Sequence, residues 1–288
     1  MEGIIVKGVA GFYYVKTENE IYQCKARGLF RKDGIVPFVG DWVSIRVLDD
    51  NKAIIQEIHP RKNQFTRPPI ANVDCLVIVM AVKKPEPNLA MMDRFLVMAE
   101  FHHTEILICI NKIDLADEEG LQIYREIYDP IYPMIFVSGK TEQGIPLLKK
   151  YLRGRVSALA GPSGVGKSTL LNKMESKDLA TVGEIGQKSQ RGKHTTRHVE
   201  LFDMEGGGML FDTPGFTSFD VMDAEEGELA FLYPEMAPYI GGCRYDNCRH
   251  LSEPDCRIRK AVEEGKIHKF RYGSYMDQIN QIQTMRRY

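Results

Sequence analysis

Three short motifs constrain this 288-residue chain more than its composition does, and they do so by their order. Gly161-Pro162-Ser163-Gly164-Val165-Gly166-Lys167-Ser168-Thr169 fits the phosphate-loop pattern G-x-x-x-x-G-K-[ST]. Asn111-Lys112-Ile113-Asp114 has the form of a base motif and precedes it, and Asp212-Thr213-Pro214-Gly215 fits D-x-x-G and follows it. In an ordinary guanine-nucleotide domain the phosphate loop opens the fold and the base motif sits near its end. The reversed order predicts a circularly permuted α/β domain whose switch segments lie next to whatever follows in the chain.

Each motif carries its own chemistry. The phosphate loop follows an apolar strand pattern, Val156 to Ala160, and precedes a helical one. Its glycines let backbone N–H groups curl around a phosphate, Lys167 supplies charge to the outer phosphates, and Ser168 offers a hydroxyl to Mg²⁺. The helix behind it aims its N-terminus at the anion. Asp114 can accept hydrogen bonds from the N1–H and N2 amine of guanine, which adenine lacks, so GTP is favoured over ATP. Ser138-Gly139-Lys140 ends the next strand and resembles the Ser-Ala-Lys loop of GTPases, with glycine replacing the usual alanine. Asp212 is expected in the Mg²⁺ shell, and the Gly215 N–H is expected to sense the γ-phosphate. Thr195 and Thr196 are candidates for the switch threonine that binds Mg²⁺, and Thr196 is preferred. The surrounding stretch is basic (Lys188, Arg191, Lys193, Arg197), with no acid between Glu184 and Glu200. It reads either as a solvated loop or as a switch that also touches RNA phosphates. Phe216 stands where Ras-like enzymes have the glutamine that orients the attacking water, which predicts slow hydrolysis alone and acceleration by a partner. His194 is the candidate replacement, against the plainer reading of an exposed histidine.

Patterning divides the chain into three regions: 1–68, 71–217 and 218–288. Ile4 to Val9, Phe12 to Lys16, Ile21 to Ala26, Trp42 to Leu48 and Ile54 to Ile58 read as five short strands, which predicts a small closed β-barrel of the OB type. The stretch from Arg61 to Pro69 reads as a linker, because its prolines disfavour regular structure. From Ala71 onward, strands and helices alternate, as a mostly parallel sheet requires. Cys75 to Val82 is a continuous apolar run, expected of a strand buried on both faces. After about Thr217 the alternation stops, and helices are expected near Cys256 to Glu264 and Tyr275 to Arg287. The longest apolar run is too short to cross a bilayer and no leader pattern is present, so a cytosolic protein is expected. A net charge of -1 predicts that any RNA-binding surface is local.

Six cysteines divide into two kinds. Cys24, Cys75 and Cys109 sit singly in apolar stretches and read as buried thiols. Cys243, Cys248, His250 and Cys256 fall close together in the pattern C-x4-C-x-H-x5-C. Three thiolates and an imidazole make a full tetrahedral set for a structural Zn²⁺, with no open position for hydrolytic chemistry. The plainer alternative is a loop of reduced cysteines. Residues 256–288 carry eight Lys or Arg against three Asp or Glu, which suggests contact with RNA or simply a solvated helix face.

Together, the barrel, the permuted motif order and the Cys–His unit make the chain similar to the bacterial ribosome small-subunit-dependent GTPase A family (RsgA, also YjeQ or YloQ). Gly192-Lys193-His194-Thr195-Thr196 also resembles that family's switch. The resemblance implies a GTPase acting late in assembly of the small ribosomal subunit. It further implies that the protein binds that subunit and its rRNA, is stimulated by it, and carries Mg²⁺ with GTP and one structural zinc. A monomer without membrane attachment is expected. The competing reading is an RNA-binding scaffold whose nucleotide site is structural and does not turn over. A GTPase of tRNA modification or membrane trafficking is a third reading, which the Cys–His unit disfavours.

Overall fold

Short β-branched and aromatic segments, parted by glycine and acidic turns, open the chain as five strands. They are β1 Glu2–Val9, β2 Phe12–Lys16, β3 Ile21–Ala26, β4 Trp42–Asp49 and β5 Lys52–Ile58. In the computed structural model, residues 1–28, 30, 34–49, 51–175, 199–212 and 225–285 are described. The five strands run in the order β1-β2-β3-β5-β4, and β4 pairs back onto β1 from Glu2↔Ser44 to Ile4↔Trp42. The sheet therefore closes into a barrel and leaves no free edge there, as the sequence predicts. Ile5, Val15, Cys24, Val43 and Ile55 are fully buried within it.

The stretch expected to be a linker is structured instead. β6 Gln64–Thr66 pairs with β7 Pro69–Ala71 as a small hairpin. Pro69 heads an edge strand, a position where its missing N–H breaks no ladder bond. Phe65 and Ile70, which the proline-rich context hid, are buried between the barrel and the next domain. Arg61 is held by the buried carboxylate of Asp41, with Nε–Oδ1 at 2.7 Å.

Six further strands form the α/β sheet: β8 Cys75–Ala81, β9 Glu105–Asn111, β10 Met134–Phe136, β11 Val156–Ala160, β12 Glu200–Asp203 and β13 Met209–Asp212. Their order is β10-β9-β8-β11-β13-β12, parallel throughout except for β12, which runs antiparallel to β13. Every residue of β8 is buried. Its side chains alternate, Leu76, Ile78 and Met80 into one core and Cys75, Val77, Val79 and Ala81 into the other. Helices α1 Leu89–Phe101 and α2 Glu118–Tyr128 cover the first face, and α3 Ile145–Leu152 and α4 Lys167–Met174 the second. Asn88 and Asp117 cap α1 and α2, accepting from the N–H groups of Met91 and Gly120. At Lys7↔Glu200, β1 also pairs with β12, so barrel and α/β sheet are continuous.

The C-terminal region has its own core, which includes Leu229, Tyr233, Met236, Ile258, Tyr275 and Ile279. Its helices are α5 Arg257–Glu263 and α6 Lys269–Met285. The second starts six residues before the expected Tyr275. Gly273 lowers helix propensity locally, but tertiary packing overrides it, because Arg271 is buried inside the protein. Cys24, Cys75 and Cys109 are buried free thiols, and burial pushes them up to about 11, 12 and 12. No helix among the described residues is long and apolar enough to cross a membrane. Truncating the hairpin anchor with Phe65→Ala is expected to cost about 3–5 kcal/mol. Chemical unfolding followed by far-UV circular dichroism would read this as a lower midpoint.

Candidate functional site

Because β8, β9, β10, β11 and β13 are parallel, their C-terminal ends share one edge of the sheet. β9 delivers Asn111 there, β10 leads to Ser138, β11 leads into the phosphate loop, and β13 ends on Asp212. Chain order reverses between β8 and β11, which opens the crevice where ligands of such sheets bind. The motif segments thus converge although the sequence presents them in permuted succession.

Asn111, almost wholly buried, ties the convergence together. Its Nδ2 donates to the Val165 carbonyl of the phosphate loop at 2.8 Å. Its Oδ1 accepts from the Lys112 and Gly139 N–H groups at 2.8 and 3.0 Å. Only glycine fits opposite it at 166, where φ is +99° and a Cβ would lie 2.4 Å from Asn111 Nδ2. Gly161 is equally constrained, since a Cβ there would meet the Val79 carbonyl at 2.2 Å. Lys112 adopts a left-handed conformation and donates through Nζ to the carbonyls of Lys84 and, at 2.7 Å, Gly164.

Asp114 is exposed at the mouth of the crevice on a 3₁₀ turn, Ile113–Leu115. Its Oδ1 accepts from the buried Ser138 hydroxyl at 2.6 Å, which orients the carboxylate. The Ser138 hydroxyl also accepts from the Thr141 N–H at 3.1 Å. Gly139 packs against α4, where a Cβ would lie 3.0 Å from Thr169 Cγ2. Glycine in place of alanine therefore lets this loop sit closer to the phosphate-loop helix. Lys140 is exposed, as are Ser163, Ser168 and Thr169.

Lys167 Nζ donates to the Gly161 and Pro162 carbonyls at 2.6 and 2.8 Å, inside the loop it serves. Burial pushes its ammonium down to about 8. His194, Thr195, Thr196, Thr213, Pro214, Gly215 and Phe216, together with the basic stretch from Lys188 to Arg197, lie outside the described residues.

The second cluster is equally compact. The ligand atoms of Cys243, Cys248, His250 and Cys256 all lie within 4.8 Å of one another. Cys243 Sγ and Cys256 Sγ are 4.0 Å apart, close to the ~3.8 Å edge that a tetrahedron with 2.3 Å Zn–S bonds requires. His250 Nδ1 lies 3.6 and 3.4 Å from those two sulfurs. The Glu253 carboxylate accepts from the Arg249, Leu251 and Ser252 N–H groups, and Tyr272 and Tyr275 donate to the His250 and Arg249 carbonyls. These bonds fix the loop that carries the imidazole. The donor set fits a four-coordinate zinc.

Two elements escaped the sequence reading. The loop after β8 reaches the base motif through the Lys84 carbonyl, which accepts from Lys112 Nζ, and the phosphate loop through Pro85, 3.6 Å from the Cβ position of Gly164. Its signal was available, since a parallel strand beside the phosphate loop must end in the same crevice. The other is a buried ion cluster. Arg271 Nη1 bonds Asp93 Oδ1 at 2.6 Å and Arg271 Nε bonds Glu235 Oε1 at 2.7 Å, with Arg271 and Asp93 wholly buried. Asp93 and Arg271 are 178 residues apart, and no local pattern joins them.

A phosphate loop, a base motif and a D-x-x-G strand on one sheet edge, met in permuted order, define a circularly permuted GTPase. The RsgA GTPase profile matches residues 58–222 and the RsgA N-terminal domain profile matches residues 2–55. The chain belongs to the RsgA GTPase family. It is 45% identical to the small ribosomal subunit biogenesis GTPase RsgA of Clostridium acetobutylicum across 100% of both chains. It is 43% identical to the protein of that name from Alkaliphilus metalliredigens, over 100% of this chain and 99% of the relative. Among solved structures it is similar to YjeQ from Thermotoga maritima, with a TM-score of 0.85 and 36% identity over 98% of each chain. It is also similar to YloQ, described as a circularly permuted GTPase, with a TM-score of 0.83 and 37% identity over 99% of this chain and 95% of that one.

The low Lys167 pKa gives a pH signature. Below about pH 8 the ammonium is already present, whereas above it nucleotide binding must first take up a proton, because bound phosphates favour the charged form. Affinity for GDP is therefore expected to be nearly flat up to about pH 7.5 and to fall about fivefold between pH 8 and 9. Titration of a fluorescent GDP analogue across that range measures it.

Proposed function

We propose that this chain is a GTP-hydrolysing factor in biogenesis of the small ribosomal subunit, docking on the subunit's rRNA and released when GTP is hydrolysed. The observation that carries the enzymatic part is the Asn111 side chain, which binds the base motif, the Ser138 loop and the phosphate loop into one site. The assembly role is supported by the full-length likeness to relatives named for it.

In this reading Asp114 selects guanine, and Ser138 holds its carboxylate in the accepting orientation. Backbone N–H groups from Gly161 to Thr169 cradle the phosphates, and Lys167 neutralises their outer charge. Magnesium bound with GTP would take the Ser168 hydroxyl and Thr196, with Asp212 in its shell, and would spread the charge of the transferring phosphoryl group. The Gly215 N–H contacts the γ-phosphate and is released after hydrolysis. The segment behind it leads into the C-terminal unit, so loss of phosphate changes the geometry that docks. Cys243, Cys248, His250 and Cys256 would hold one structural zinc that keeps that unit folded. The protein would act as a monomer.

With Phe216 in place of a water-orienting glutamine, hydrolysis by the chain alone should be slow. Small subunits should raise it by about 10² or more, the scale of one positioned catalytic group, and large subunits should not. His194→Ala should remove most of that stimulation. Turnover that small subunits leave undetectable would instead favour the scaffold reading, and unchanged stimulation would take His194 out of the mechanism. Elemental analysis should find one zinc per chain. Cys248→Ser should lose it together with the α5 and α6 helical signal.

A further inference from the structure

α1 and α2 lead away from the nucleotide crevice on the side opposite β13. α1 follows the loop whose Lys84 carbonyl holds Lys112 and whose Pro85 packs near Gly164. α2 follows the base motif, after the turn that carries Asp114. Both helices run to one buried group of the C-terminal unit. Arg271, at the start of α6, bonds Asp93 of α1 and Glu235 of its own unit, and its guanidinium lies 5.8 Å from the rings of Tyr128, the last residue of α2, and Tyr132 in the loop after it. Tyr233 of the C-terminal unit stacks against it at 4.6 Å. Next to Asp93 in sequence, Arg94 of α1 donates to Gln281, further along α6, at 2.7 Å. Val97 of α1 belongs to the C-terminal core, whereas its neighbours Phe95, Leu96 and Met98 belong to the core of the α/β domain.

A wholly buried guanidinium needs its partners in fixed positions, since removal of any one leaves an uncompensated charge. Its planar fork also fixes direction as well as charge, which a lysine cannot do. The helices that supply Asp93 and Tyr128 begin at loops beside the phosphate loop and the base motif.

We propose that Arg271 is a positioning residue for the nucleotide site: from the C-terminal unit it fixes α1 and α2, and so couples docking of that unit to occupancy of the base and phosphate pockets. This route is separate from the switch segments and operates with GDP as well as GTP. Coupling of this kind is reciprocal, so the factor by which GDP secures the C-terminal unit equals the factor by which docking of that unit tightens GDP. The inference rests on the nucleotide site described above.

Hydrogen exchange on the full-length chain, with and without saturating GDP, tests it. The α6 amides are expected to exchange about 5- to 50-fold more slowly with GDP, while β2 and β3 of the barrel stay unchanged. Arg271→Met should abolish that response and raise the Kd for a fluorescent GDP analogue by the same factor. Arg271→Lys should recover part of it, and Arg244→Ala, an exposed change in the same unit, none of the loss. Should Arg271→Met prove too unstable, Arg94→Ala probes the same α1–α6 interface through its bond to Gln281 and should weaken the α6 response. An α6 response that is absent, or matched by equal slowing in β2 and β3, would overturn the proposal even where the phosphate loop is protected. No protection of the phosphate loop in the wild-type chain would instead overturn the nucleotide site itself.

Discussion

The structure turns on one side-chain amide reaching across a gap that only glycine leaves open. Asn111 ends a buried strand and sends its two amide atoms in different directions, to the phosphate loop and to the loop after β10. The approach to Gly166 is so close that any Cβ there would displace it. An amide is needed rather than a carboxylate or an amine, because one end must donate to a carbonyl while the other accepts from N–H groups. With that residue in place, loops up to 54 residues apart in the chain form a single pocket. Lys112 adds a second tie between base motif and phosphate loop, through the Gly164 carbonyl.

The permutation leaves this geometry intact, because a parallel sheet places function by strand direction and neighbour and not by chain order. Cutting the chain between β10 and β11, or elsewhere, leaves the same C-terminal ends on the same edge. What the permutation changes is the company of each element. β12, which follows the switch stretch in sequence, pairs with barrel strand β1 and is tied to it through Lys7 and Glu200. β13 is followed in sequence by the C-terminal unit. The nucleotide domain therefore borders an appendage on each flank.

The C-terminal unit is secured in two chemically different ways. Inside, three thiols and an imidazole converge within metal-binding distance where the apolar core is small. Outside, a buried arginine joins it to the α/β domain through carboxylates from both sides. Such a cluster fixes one relative arrangement, because a guanidinium displaced from its partners would be left charged and unsolvated.

Much of this could be read without coordinates. The phosphate loop, Asn111 to Asp114, Ser138-Gly139-Lys140 and the Cys–His set are local patterns whose chemistry dictates their spacing; the structure seats the first three where strands end and draws the ligand atoms of the last within 4.8 Å of one another. The barrel followed from five β-branched segments, and β8 from its unbroken apolar run. The hairpin at Gln64 to Ala71 was hidden, because two prolines outweigh the single pair Phe65 and Ile70 in any local reading, whereas burial between domains reverses that balance. The early start of α6 was hidden for the same reason, with Gly273 opposing a helix that tertiary contacts impose. The loop after β8 was legible only through its strand's place beside the phosphate loop, and the Arg271 cluster could not be read at all. Sequence determines chemistry where the interacting groups are near neighbours or share a motif. Folding alone decides which distant groups meet, since an arginine and an aspartate 178 residues apart acquire a relation only when packing removes water from between them.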